Sequence, residues 1–127
     1  MGVSGEKHPM NKRRKGAAYE QAAKVYLEKR GVRIQTQNYR IRQGEIDLVG
    51  YEGSTLVFFE VKYRRDARQG LPQEAVSSMK QRQICKVALF YMNQYHIPQE
   101  QAVRYDVVAI MGNHFTWIKN AFMHQIS

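Results

Sequence analysis

The chain is short of cysteine, of long apolar runs and of acidic residues, and each shortage removes a class of protein. A single cysteine, Cys85, among 127 residues allows no internal disulfide and no cysteine-rich zinc knuckle, which fits a reducing cytoplasm. The longest uninterrupted apolar run, Val87 to Met92, falls far short of the ~18 to 20 residues that cross a bilayer. The first thirty residues hold no continuous apolar core of the signal-peptide kind. A cytoplasmic protein with no membrane partner is therefore expected. His8, His96, His114 and His124 share no metal-ligand spacing, so a histidine zinc site is not expected either.

The deficit of acids leaves a formal net charge of +9, from 20 Lys and Arg against 11 Asp and Glu, and the excess is localised. Residues 1–16 carry Lys7, Lys12, Arg13, Arg14 and Lys15 against Glu6 alone. Residues 62–86 carry Lys62, Arg64, Arg65, Arg68, Lys80, Arg82 and Lys86 against Asp66 and Glu74, and every other stretch cancels. Clustering of this kind is the footprint of a polyanion partner, because neutralising phosphates releases condensed counterions.

With 43% hydrophobic residues, 127 residues suffice for one core and one domain. The opening residues 1–16 have too little apolar content to repay ordering and read as a basic disordered arm, leaving 17–127 as the domain. From Ala17 to Arg30 the pattern is helical, with a stripe of Ala18, Ala22, Val25 and Tyr26 and a glycine C-cap at Gly31. The period then falls toward two in VRIQTQNYRIR, EIDLVGYE and TLVFFEVKYR, three mostly antiparallel strands. Pro72 suits the first turn of a second helix running to about Tyr95, with Val76, Ile84, Val87, Ala88 and Tyr91 inward. VRYDVVAIM and HFTWIKNAF, joined at Gly112-Asn113, complete an α/β domain with a central mixed sheet of about five strands and two main helices.

Alternation along the second and third strands carries the chemistry. Glu45 and Asp47 share one strand face, with Ile46 and Leu48 on the other; Glu60 and Lys62 share a face of the third strand. Glu60 and Lys62 interrupt LVFFEVKY, whose other members are apolar or aromatic, and charges are rarely buried in such a central strand without a purpose. Carboxylates brought together repel and stay ionised only if a cation joins them. Oxygens of Asp47, Glu60 and the Val61 carbonyl suit Mg2+ or Mn2+. A lysine beside them, Lys62, can stabilise charge on a phosphate, so the constellation reads as phosphodiester hydrolysis.

Gly44-Glu45-Ile46-Asp47-Leu48 followed by Val57-Phe58-Phe59-Glu60-Val61-Lys62 and Arg64 resembles the GEIDL and VEVKxR signatures of the YraN-like bacterial family. That family is placed in the restriction-endonuclease-like PD-(D/E)xK superfamily. Ala18, Glu20, Ala23, the Asn38-Tyr39-Arg40 triplet, Gly70, Pro72, Lys80, residues 104–108 and residues 120–122 extend the resemblance over about residues 16–122. It implies a restriction-endonuclease-like core, Asp47 and Glu60 as metal ligands and Lys62 as the catalytic lysine. Glu20 matches the helix-one glutamate of the Holliday-junction-resolvase-like branch, and Glu45 joins it as a candidate catalytic carboxylate. Ile46 stands where many superfamily members have proline.

The expected function is a Mg2+-dependent DNA endonuclease, structure-selective or non-specific, since no base-reading motif is evident. DNA repair, recombination or processing is the implied setting, with DNA rather than RNA as the nucleic-acid partner and a homodimer left open. Arg64, Arg65, Arg68, Lys80, Arg82 and Lys86 are the expected DNA contacts, Lys80 also falling on the stripe that faces the sheet. Glu20 either reaches the site or pairs with Lys24 on the helix surface. Tyr39 and Tyr51 either stack bases or pack within strands. Phe58, Phe59, Phe90, Tyr91 and Trp117 read as core, and Cys85 as an apolar filler. A catalytically weak nucleic-acid-binding module of the same fold, and a domain that meets an acidic protein partner, remain the competing classes.

Overall fold

A fully buried run, Leu56 to Glu60, builds the centre of the molecule. In the computed structural model, which describes residues 9–65 and 76–125 and side chains from residue 16, this run lies in β3 (Thr55–Arg64). The other elements are α1 (Pro9–Glu28), β1 (Arg33–Ile41), β2 (Gly44–Glu52), α2 (Ser78–Gln94), β4 (Val103–Met111) and β5 (His114–Phe122). The strands form one mixed sheet in the order β1-β2-β3-β4-β5. Among the described residues only β3 and β4 pair in parallel, and their connection contains α2, as a parallel pair requires a crossover.

Each face of the sheet is covered by one helix, which explains why β3 reads as a continuous apolar run. Ala23 and Leu27 of α1 pack on Leu48, Val57, Phe59, Val108 and Ile110. Ile84, Cys85, Val87, Ala88 and Tyr91 of α2 pack on Ile46, Val49, Leu56, Phe58 and Tyr105 on the other face. Tyr39 belongs to this second core, its ring edge-on to Tyr91 at 5.0 Å, so it is a packing residue. Among the described residues no helix is long and apolar enough to cross a membrane.

Several sequence expectations are corrected. Helix α1 begins at Pro9, well before Ala17: proline is pre-set for the first helical position, and the Lys and Arg that follow are good helix formers. The basic residues 9–16 are thus helical in backbone, while residues 1–8 lie outside the described residues. The buried stripe of α1 is Ala23 and Leu27 with half-buried Tyr19 and Tyr26, whereas Ala18 and Val25 are exposed. Helix α2 starts at Ser78, not at Pro72, because Ser77 caps it: the Ser77 hydroxyl accepts the Lys80 N–H at 3.2 Å. Pro72 itself lies outside the described residues. Phe90 is half exposed rather than core, falling between the buried positions Ala88 and Tyr91.

A polar network that the sequence reading missed lies beneath α1. Asp106, fully buried, accepts both Arg104 Nε and Nη2 at 2.9 Å, Trp117 Nε1 at 2.8 Å and the Asn120 N–H at 2.9 Å. Arg104 and Lys119 also hold the two oxygens of Glu52, at 2.6 and 2.8 Å, which ties the end of β2 to β4 and β5. Removing the acid leaves Arg104 and the Trp117 N–H without their buried partner. Asp106→Ala is therefore expected to destabilise the fold by about 3 to 5 kcal/mol in denaturant unfolding; a loss below about 1 kcal/mol would contradict the network's role.

Candidate functional site

Strands β2 and β3 pair from Glu52 opposite Thr55 to Leu48 opposite Phe59, and no further. Beyond that point β2 changes face. Ile46 buries in the α2 core and Leu48 in the α1 core, where simple alternation would put both on one side. The matching kink on β1 is Asn38, at φ +54, between the pairs Gln37–Leu48 and Tyr39–Ile46. Asparagine tolerates this left-handed backbone better than most residues. Asp47 consequently sits in the fork between β2 and β3, within reach of groups from both faces.

The fork fixes Asp47 through the backbone. The Val61 amide, pointing toward β2 past the last paired residues, donates to Asp47 Oδ2 at 2.8 Å. From the α1 side comes half-buried Glu20, its carboxylate set against that of Asp47; from the α2 side comes Glu60. Carboxylate oxygens of Glu20, Glu45 and Asp47 all lie within 4.8 Å of one another. Glu60 Oε2 lies 3.7 Å from both Lys62 Nζ and Lys80 Nζ. Asp47 and Glu60 are 8% and 6% exposed, so these acids crowd together nearly out of water.

The electrostatics follow from that crowding. Glu60 is pushed up to about 7, by burial first and then by the charge of Asp47, with Lys80 and Lys62 pulling the other way. Glu20 is likewise pushed up to about 7 by burial and by Asp47, against a hydrogen bond with Asn38. Asp47 is raised by its own burial, opposed by the Val61 amide and by Glu20. Three acids at one point favour either protons or a cation. The donor set is all oxygen, which fits a hard divalent ion such as Mg2+ or Mn2+.

The expected site residues do not all share one place. Glu20, Glu45, Asp47, Glu60, Val61, Lys62 and Lys80 come together at the fork; Glu20 faces Asp47, and Lys80 points inward as its place on α2 suggested. Arg82 and Lys86 are exposed on α2, and Arg65 is exposed just after β3. Arg64 is half buried; its Nη1 donates to the Tyr63 carbonyl at 3.2 Å. Arg68 lies outside the described residues. Sequence reasoning missed Arg40 and Asn38 as site neighbours. Arg40 Nη2 lies 3.0 Å from Glu45 Oε1, and a register count across the β1–β2 hairpin, which pairs Arg40 with Glu45, would have found it. Tyr63 stacks on Tyr19 at 4.0 Å and so ties α1 to β3 beside the acids.

The profile of the uncharacterised protein family UPF0102 matches residues 19–110. A UPF0102 protein of Syntrophus aciditrophicus is 47% identical over 113 residues, covering 86% of this chain and 88% of the relative. One from Lachnoclostridium phytofermentans is 42% identical over 113 residues, covering 89% and 96%. One from Aeromonas hydrophila is 44% identical over 109 residues, covering 85% and 84%. These matches bear out the YraN-like resemblance at the level of the family.

Burial of Glu60 gives a pH-dependent handicap whose sign is fixed. Its pKa in the fold, about 7, stands above the ordinary 4.5, so the folded state binds more protons than the unfolded one between those values. The handicap is fully present above pH 7 and fades as the pH falls toward 4.5. In metal-free protein Glu60→Gln should raise stability at pH 8 by something on the order of 2 to 3 kcal/mol, and the gain should shrink toward pH 5. Thermal unfolding of both proteins across that range is the measurement, and a variant less stable than the parent at pH 8 contradicts the assignment.

Proposed function

We propose that the chain, which belongs to the uncharacterised protein family UPF0102, is a divalent-cation-dependent DNA endonuclease of the PD-(D/E)xK type, structure-selective or non-specific in its cutting. The observation that carries this reading is the convergence of Asp47, Glu60 and Lys62 at the β2–β3 fork, with Lys80 on the same carboxylate. The five-stranded mixed sheet with a helix on each face is consistent with a restriction-endonuclease-like core.

Asp47, Glu60 and the Val61 carbonyl are the proposed ligands of Mg2+ or Mn2+, with Glu20 and Glu45 close enough to Asp47 to share the ion or its waters. The ion would supply Lewis-acid polarisation of the phosphodiester and a more acidic attacking water. The chain's own groups do the rest. The Val61 N–H holds the Asp47 carboxylate in one orientation. Glu60 steers the Lys62 ammonium, whose side chain is 26% exposed and so open to a phosphate oxygen on which negative charge grows. Glu20, pushed to about 7, is poised to take a proton near neutral pH. Exposed Arg65, Arg82 and Lys86 are placed to hold the DNA backbone without reading bases.

One observation favours the second reading, a catalytically weak nucleic-acid-binding module: Lys62 and Lys80 neutralise Glu60 between them without any ion. Purified protein incubated with supercoiled, single-stranded and four-way-junction DNA in Mg2+, Mn2+ or EDTA separates the two. Cleavage that EDTA abolishes is the expected result. Asp47→Asn or Lys62→Ala should then reduce it by about a hundredfold or more, with the far-ultraviolet circular dichroism unchanged. Cleavage undiminished in both variants would remove the site; binding without cleavage under every condition would favour the module.

A further inference from the structure

A cleft of about 440 Å3 opens on the α1 side of the acids, lined by Gly16, Ala17, Glu20, Asn38, Arg40 and Glu45. Two features of this cleft stand apart from the fork itself. Gly16 and Ala17 add little side-chain bulk of their own to its α1 wall beside Glu20. Arg40 stands at its rim, 67% exposed, with Nε and Nη2 both on the single oxygen Glu45 Oε1, at 3.1 and 3.0 Å. Contact with one oxygen forgoes the two-oxygen fork that makes arginine–carboxylate pairs strong, and an exposed pair is held loosely. The guanidinium is therefore a cation at the mouth of the site with a weak hold on its partner.

That partner has a competing use. Glu45 belongs to the group of three carboxylates whose oxygens lie within 4.8 Å of one another. A cation drawn to this group competes with Arg40 for Glu45, and a phosphate competes with Glu45 for Arg40. The surroundings favour a polyanion, since exposed Arg42 follows Arg40 at the β1–β2 turn.

We propose that Arg40 is a phosphate latch: the cleft seats the DNA backbone, and Arg40 exchanges Glu45 for a backbone phosphate as Glu45 turns to the cation. The proposal rests on the nuclease reading for the identity of the cation and polyanion, and adds to it a substrate contact and a coupling between the two. Coupling is reciprocal, so the cation tightens DNA binding and DNA tightens cation binding, both through the one exchanged ion pair. Arg40 is a binding and positioning residue here, since nothing requires it to touch the reacting atoms.

The test uses the full chain carrying Lys62→Ala to stop turnover, with and without Arg40→Gln, and a duplex oligonucleotide titrated over a range of salt in Mg2+ or in EDTA. In Mg2+, Arg40→Gln should weaken binding about tenfold and lower the logarithmic salt slope by roughly one. In EDTA, where Arg40 stays paired with Glu45, the loss should be much smaller. Mn2+ affinity without DNA, read by calorimetry, should be unchanged or tighter, because Glu45 has lost its competitor. Arg40→Lys should restore the salt slope, and neither substitution should shift the melting temperature appreciably.

Unchanged affinity and slope in Mg2+ overturn the latch, and so does an equal loss in Mg2+ and EDTA, which would mark a fixed contact with no exchange. Cleavage by the otherwise native chain is scored separately. Cleavage with Arg40→Gln binding unaffected removes the latch alone; the latch signature without cleavage removes the nuclease reading alone. A chain that binds no DNA in either condition removes both.

Discussion

The hydrogen bond from the Val61 amide to Asp47 Oδ2 is the interaction on which the site depends. It exists because β2 and β3 stop pairing at Leu48 and Phe59, leaving a central-strand amide pointed at a gap. An unsatisfied buried N–H is costly, and a carboxylate is the strongest acceptor the chain could place there. Satisfying the backbone thus forces an acid into the middle of the sheet's open end. Glu60 is the next residue of β3 after the last pair, and Glu20 and Glu45 arrive on α1 and on β2 itself. The same fork that requires one acid gathers the others, and only then does their mutual repulsion create a demand for a proton or a cation.

The molecule handles its two sets of buried acids in opposite ways. Asp106 is saturated by Arg104, the Trp117 N–H and the Asn120 N–H, and no lone pair is left looking for a ligand. Asp47 and Glu60 are nearly as buried, yet receive one backbone N–H and two lysines at 3.7 Å, too far for tight hydrogen bonds. The contrast separates structure from function more sharply than burial does. Acids that the fold finishes with its own donors hold β2, β4 and β5 together; acids it leaves short of donors, with Glu20 and Glu60 raised to about 7, mark the site.

The ordering of elements, the fourth and fifth strands and the antiparallel joining of the first three were legible in the sequence, because period-two patterning and glycine turns are local signals. The buried LVFF of β3 and its two interrupting charges were legible for the same reason. The turn of β2 about Asp47 was not, since strict alternation puts Ile46 and Leu48 on one face and only the left-handed Asn38 on a neighbouring strand reveals the kink. The Arg104–Asp106–Trp117 network was hidden because its members lie on two strands and look like ordinary strand residues one at a time. The start of α2 was misplaced by a proline that suits a first turn, while the helix took its cap from Ser77.

The topology also explains why a strongly basic chain builds its site from acids. β1 and β3 end, β2 begins and α2 begins on one side of the sheet, so Arg40 and Arg42, Lys62 and Arg64, Glu45 and Asp47, and Lys80 and Arg82 are delivered to a single end by strand direction alone. The hairpin tip is fixed there by Gln83, whose Nε2 donates to the Gln43 carbonyl at 2.8 Å and whose side chain occupies the space a Cβ on Gly44 would need. A nest of carboxylates by itself repels phosphate, and a wholly basic end binds phosphate without any means of placing a cation against it. Acids at the centre with bases around them suit both, a polyanion at the rim and a small positive ion in the middle. The residue that stands on the boundary between the two zones is Arg40, paired with Glu45 across the turn from one to the other.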